Sequence, residues 1–234
     1  MNRGVYYLYQ TAEFNNNLVM TRATRPAAPG RPKDLEKRAA ILDAAKALFP
    51  ARGYDGVSMD AIAQAAGVSK LTVYSHFQDK DTLFVEAVKA RCEDLLPSDL
   101  FVARFEGPIR GQLLRIARAF FALVTSEDAI NIHRMMSRQL PEGSHLPRLF
   151  WDAGPKRTTE ALTAFLKAEH AAGELHVPDC GLAASQFFCL LKGEHHAKLT
   201  CGCHEPLDPK AVEKHLEDTV DLFLRAYGPG RHGG

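Results

Sequence analysis

Long apolar runs are missing from this chain. None approaches the ~20 residues that a membrane-spanning helix needs, and 117–124 is among the longest. No secretory leader is expected either, because no basic segment near the start is followed by an uninterrupted apolar stretch, and 13–17 is polar. The chain is therefore expected to be soluble and cytoplasmic, with no membrane partner. Cysteine is scarce: five residues, an odd number, in a chain without a leader point to a reducing compartment and no disulfide framework. Enzyme signatures are absent too. There is no GxSxG, HExxH, Walker-type loop or GxGxxG, and neither His133 nor His145 has a supporting constellation. No enzymatic activity and no cofactor are expected.

Net charge is also nearly absent, at +1, but the balance is uneven along the chain. Residues 1–80 hold 11 Lys and Arg against 7 Asp and Glu, whereas the remainder holds 18 against 21. A basic first third on a mildly acidic remainder fits a nucleic-acid-contacting head on a body with another task. With 234 residues, 46 % of them apolar, the chain can bury a substantial core as one large or two small domains.

What is present is concentrated in 58–77, SMDAIAQAAGVSKLTVYSHF. Met59, Ile62, Ala63 and Ala66 recur at helical spacing and form one apolar stripe. Ser58 stands where an N-cap hydroxyl meets free amides, and Asp60 faces the positive helix end. Gly67 stops the first helix, since it reaches positive φ without a Cβ clash. Ser69 can cap a second helix, on which Val73 and Phe77 share a buried face. The opposite face carries Lys70, Leu71, Thr72, Tyr74 and His76. A short helix anchored on one side and hydrogen-bonding on the other suits a duplex groove. A helical hairpin inside an ordinary core has the same pattern.

The wider segment 41–84, ILDAAKALFPARGYDGVSMDAIAQAAGVSKLTVYSHFQDKDTLF, resembles the DNA-binding domain of the TetR family of one-component transcriptional regulators. The agreement runs in order through 41–49, Gly53-Tyr54, Ile62-Ala63, Gly67-Val68-Ser69, Val73-Tyr74, His76-Phe77 and Lys80. Further on, GLAASQFFCLLKG and the ending DTVDLFLRAYG resemble the regulatory domain of the family's AefR-like branch. The resemblance implies an all-α protein, with an N-terminal three-helix helix-turn-helix domain and a larger C-terminal helical domain for ligand binding and dimerisation. The expected organisation is a disordered basic arm over 1–33, a DNA-binding domain over 34–80, a regulatory and dimerisation domain over 81–228 and a tail over 229–234. Residues 1–19 are a poor element, either a mis-assigned start before Met20 or a dispensable extension. In the arm, Arg22, Arg25, Arg31 and Lys33 are placed either to follow phosphates or to remain solvated.

Candidate DNA contacts are Ser58, Ser69, Lys70, Leu71, Thr72, Tyr74, Ser75, His76 and Lys80. Lys70 opens the recognition helix and can meet a phosphate or guanine, while the apolar tip of Leu71 can meet a thymine methyl. Thr72 and Tyr74 can donate to phosphates or base edges, and Tyr74 resembles the family's phosphate-contacting tyrosine. His76 is either a contact or a structural residue. Lys80, at the start of the next helix, and the hydroxyl of Ser58 can hold phosphates.

Beyond Thr82 helical periodicity predicts a connecting helix ending near Pro97, then helices over 107–124, 129–139, 147–172 with a bend at Gly154-Pro155, 180–200 and 209–227. Phe187, Phe188, Leu191, Leu216, Val220 and Phe223 supply more apolar surface than one covered helix face needs, which predicts a homodimer through the last two helices. Phe101, Phe105, Phe120, Phe121, Met135, Met136, Phe150 and Trp151 are candidates for an effector pocket, or plain core. Cys201, Cys203 and His204, with His195 and His196 nearby, are metal-capable but match no zinc spacing. They leave a metal- or redox-sensing regulator as the alternative, and a helical interaction module without DNA binding as a remote one. The main expectation is a ligand-responsive homodimeric repressor, binding a near-palindromic duplex operator and released by a small-molecule effector.

Overall fold

The computed structural model describes residues 32–102, 107–137, 142–203 and 206–228. Phe105, His204, the arm residues Arg22, Arg25 and Arg31, and the stretch 1–19 all lie outside the described residues. Regular structure among the described residues is helical throughout. The order is α1 Pro32–Arg52, α2 Met59–Ala65, α3 Lys70–His76, α4 Lys80–Leu95, a 3-10 turn at Ser98–Phe101, α5 Ile109–Thr125, α6 Glu127–Met136, α7 Leu146–Ala153, α8 Pro155–Ala171, α9 Cys180–Cys201 and α10 Pro209–Tyr227. The first helix takes in Pro32 and Lys33, which belong to the stretch 1–33 expected as a basic arm. Proline suits a first helical turn, where its missing N–H has no intrahelical acceptor.

Short polar side chains set the helix starts. Ser58 Oγ accepts from Ala61 N at 3.1 Å, Ser69 Oγ from Thr72 N at 3.1 Å and Asp79 Oδ1 from Thr82 N at 2.7 Å. Each such cap is worth ~1 kcal/mol. Gly67 has φ +65°, and nothing lies within 4 Å of where its Cβ would stand, so backbone conformation alone selects glycine there.

Two cores result. The head core joins Ile41, Ala45, Phe49, Met59, Ile62, Val73, Phe77, Leu83 and Phe84 from α1–α4, and the body contributes Ile132 and Leu146 to it. The body core gathers α5, α8, α9 and α10 around Leu113, Ile116, Phe165, Phe187 and Val220. The expected bend at Gly154-Pro155 is a complete break between α7 and α8. There a Cβ on Gly154 would come within 3.2 Å of Val88 Cγ1, so the small residue lets the break sit close against α4.

The expected dimer residues need correction. Phe187, Phe188, Leu191, Leu216, Val220 and Phe223 are all buried inside a single chain. The inward sides of α9 and α10 pack on each other, on α5 and, for α9, on α8, which consumes the apolar surplus. The apolar residues left outside on these two helices are Leu182, Leu190 and Leu222. One further departure is internal to α9, where Gly193 has φ +48° and ψ −153° and interrupts the helix.

Candidate nucleic-acid interface

The seven residues of α3 divide sharply between inside and outside. Val73 and, at the helix end, Phe77 are buried, and full burial of each stabilises the head by about 1.5–3 kcal/mol. Leu71 is 79 % exposed and Tyr74 42 % exposed, on the side turned to solvent. Lys70, Leu71, Tyr74 and Ser75 are exposed, Thr72 is half-buried, and these side chains form one continuous outward surface.

The hydrogen bonds show which of these groups keep free donors. Ser75 Oγ donates to the Thr72 carbonyl at 2.7 Å, so its proton is spent within the helix. Ser69 and Thr72 hydroxyls share a bond of 2.8 Å. Lys70 Nζ sits 2.8 Å from Asp60 Oδ2 on α2, and this hydrogen bond with its charge attraction raises the Lys70 pKa. Both partners are exposed, so the pair contributes little stability and can open toward a phosphate. His76 is turned back, its Nε2 3.1 Å from Asp34 Oδ1, with only a small part of the ring reaching solvent. That placement favours the structural alternative for His76.

Lys80 also differs from expectation. Its ammonium donates to the carbonyls of Tyr54 at 3.1 Å and Val57 at 3.2 Å, and lies 4.2 Å from the Tyr54 ring centroid. It clamps the α1–α2 loop to the start of α4, so any phosphate contact falls to the remaining N–H. The neighbouring links were not apparent from the sequence. The Tyr54 hydroxyl donates to Asp81 Oδ1, and Asp81 Oδ2 lies 2.7 Å from His145 Nε2. Burial, then the Asp81 hydrogen bond, raises the Tyr54 pKa and keeps the phenol protonated. Tyr54, Asp81 and His145 thereby connect the loop, α4 and α7 across the head–body boundary; their separation in the chain leaves no sequence signal.

Behind α4 lies a cavity of about 180 Å³. Of the expected pocket residues, Phe120, Phe150 and Trp151 line it. Phe121 instead packs edge-on against His195 at 5.9 Å, and Phe101 packs on the body core. Met135 and Met136 belong to the head core, where Met135 Sδ accepts from Tyr54 N at 3.1 Å. Missed lining residues include Phe84, Val88, Arg91 and Cys92 of α4, Lys46 and Phe49 of α1, and Ser185 and Lys192 of α9, with further ones on α5, α6 and α8. A usable signal existed on α4, where 84, 87, 88, 91 and 92 share one helical face and an arginine interrupts its apolar character. Burial pushes the Cys92 thiol up to about 11, so it remains a neutral thiol.

His133 also lines the cavity, with its ring centroid 5.1 Å from that of His196. Burial, then the charges of His133 and Lys192, pushes His196 down to about 4; burial likewise lowers His133. Cys201 and Cys203 are exposed beyond this pair. Among the described residues no three His, Cys, Asp or Glu side chains are placed to hold a metal ion, and none of the helices is long and apolar enough to cross a membrane.

Residues 41–87 match the family model described as "Bacterial regulatory proteins, tetR family", and residues 111–229 match "AefR-like transcriptional repressor, C-terminal domain". The HTH-type transcriptional activator FasR of Mycolicibacterium smegmatis is 34 % identical over 105 residues, covering 43 % of this chain and 48 % of FasR. The chain spans half or less of the length of the curated relatives it matches. Among solved structures, a TetR-family regulator from Mesorhizobium loti MAFF303099 is 28 % identical at a TM-score of 0.71, over 85 % of this chain and 100 % of that one. The flavonoid-responsive regulator FrrA is 34 % identical at a TM-score of 0.64, over 82 % of this chain and 97 % of FrrA. These relatives are helix-turn-helix regulators of transcription and not enzymes. Two family models that together take in the helix-turn-helix head and most of the body leave one assignment: this chain belongs to the TetR family of bacterial transcriptional regulators.

Proposed function

We propose that the protein is a homodimeric repressor that binds a near-palindromic operator and releases it when a small organic effector occupies the cavity behind α4. The observation that carries the DNA-binding part is the outward face of α3, where Leu71 is 79 % exposed while Val73 and Phe77 anchor the opposite side. In a two-fold dimer, two such helices enter successive major grooves about 34–36 Å apart. Lys70, Leu71, Thr72 and Tyr74 are the residues expected to read or hold the duplex. Ser58, Ser69 and Lys80 position the unit first, and any phosphate contact uses their remaining protons. Repression, rather than the activation named for FasR, follows the description of the AefR-like domain model.

The cavity supports the effector part. Its wall includes α1 and α4, so an occupant touches the head directly as well as the helix that leads out of it. The Lys80 clamp fastens α4 to the α1–α2 loop, and a displacement of α4 therefore moves the recognition unit. Such coupling requires the effector to prefer the conformer whose heads are wrongly spaced for DNA. FrrA, which is similar over 82 % of this chain, is named for its response to flavonoids, and this supports a small organic effector here.

The test is a mobility shift on the promoter of the protein's own gene at two salt concentrations, with wild type and Leu71→Ala. The proposal expects a saturable complex that weakens with salt. It expects Leu71→Ala to bind at least ten-fold more weakly while its urea midpoint stays unchanged. Absence of binding to any duplex in dilute buffer, or full affinity in Leu71→Ala, would overturn it.

A further inference from the structure

The charge balance and size of the cavity point beyond a generic effector. Three cationic side chains line it: Lys46, Arg91 and Lys192. Lys46 is answered by Asp94 at 2.6 Å and Asp43 at 2.9 Å, and Arg91 by Asp128 through one of its terminal nitrogens. Lys192 has no carboxylate partner among the described residues, and the Nε–H of Arg91 is buried without an acceptor. A buried donor without an acceptor is costly, and a cation facing an apolar wall gains from an anion brought to it. Asp128 lines the cavity as well, engaged with Arg91, which among the described residues leaves Lys192 as the lining cation without an ion-pair partner and Arg91 Nε–H as a donor without an acceptor.

Phe49, Phe84, Phe120, Phe150, Trp151 and Phe188 stand around the space, alongside aliphatic and small residues. Ring edges and faces at this density favour an aromatic occupant. Size narrows the choice further. An apolar cavity of roughly 150 Å³ takes benzene, and this one is about 180 Å³. One ring with a small substituent fits this volume.

We infer that the effector is a single-ring aromatic carboxylic acid, bound as the carboxylate, with Lys192 meeting its charge and Arg91 Nε–H serving as a second donor to its polar atoms. The inference rests on the effector reading above and gives it a ligand class. Burial lowers the pKa of His133 and of His196, so near pH 7 both rings are neutral and Lys192 is the cation that tells an acid from an amide. The cavity thus separates acids from neutral isosteres by one ammonium group, placed on α9 in register with Ser185, Phe188 and Cys189.

The chain has a single tryptophan and it lines this cavity, so its fluorescence reports occupancy of the site. Full-length protein is titrated with benzoate and phenylacetate, and with their neutral isosteres benzamide and phenylacetamide. The expected result is a saturable change in Trp151 emission, with each acid binding at least ten-fold more tightly than its amide. In Lys192→Gln the acid preference disappears, each acid binding no more tightly than its amide. Equal affinity of acids and amides for wild type, persistence of the acid preference in Lys192→Gln, or no saturable change with any of the four probes would each overturn the inference. Promoter release is measured in parallel by mobility shift. Acid binding without release would overturn the effector mechanism and leave the ligand class standing, so the two failures are told apart.

Discussion

The Nε2–H of His215 donates to the carbonyl of Leu191 at 2.9 Å, across the break that Gly193 makes in α9. The break frees a carbonyl in mid-helix, and a ring from α10 answers it. A Cβ on Gly193 would stand 3.0 Å from His215 Cε1, so the ring would have to shift by a few tenths of an ångström. The φ of +48° at Gly193 adds backbone strain for any other residue. Gly193→Ala is expected to lower the urea-unfolding free energy by about 1–3 kcal/mol. A midpoint equal to wild type would show that the helix straightens at no cost.

Acid should weaken the fold through His196. The unfolded histidine takes up a proton near its ordinary value of 6.5, whereas the folded ring resists until about pH 4. Between those values the unfolded state binds more protons, so stability is full above pH 6.5 and falls as pH drops through the window. From pH 7 to pH 5 the contribution lost is about 1 kcal/mol, reduced from the full linkage value because the ring is partly exposed. Urea midpoints at both pH values for wild type and His196→Gln provide the check. The variant should lose less on acidification, and identical pH slopes would contradict the assignment.

Lys80 is expected to carry two roles that one substitution separates. Lys80→Met keeps the aliphatic stem and removes the ammonium from the Tyr54 and Val57 carbonyls. The loss should be about 1–3 kcal/mol in urea unfolding. If the remaining N–H meets a phosphate, affinity drops alike for all duplexes and the salt slope falls by ~1. A stability loss with an unaltered salt slope would confine Lys80 to the fold.

The proposed dimer surface is tested by contrasting an outward and an inward residue of α9. Leu190 is 42 % exposed and Phe187 is fully buried. Leu190→Asp should shift sedimentation toward monomer while leaving the helical signal and thermal midpoint of the protomer intact. Phe187→Ala should instead cost about 3–5 kcal/mol of stability through the cavity it opens. A Leu190→Asp protein that stays dimeric would move the interface elsewhere.

Local chemistry was enough to read the head from the sequence. The caps at Ser58 and Ser69, the positive-φ Gly67 and the buried pair Val73 and Phe77 act within a few residues of one another, so spacing alone places them. The same holds for the break at Gly154-Pro155 and for most helix bounds. Periodicity says which residues share a helix face, but not how many faces the rest of the protein will cover. That is why Phe187, Phe188 and Val220 looked like dimer contacts and are core, while Leu182, Leu190 and Leu222 remain outside. Only the tertiary arrangement decided that Lys80 turns inward to two carbonyls, that α1 forms part of the cavity wall and that Lys192 enters it without an acidic partner. Each depends on groups far apart in the chain, whose meeting is fixed by packing rather than by local sequence.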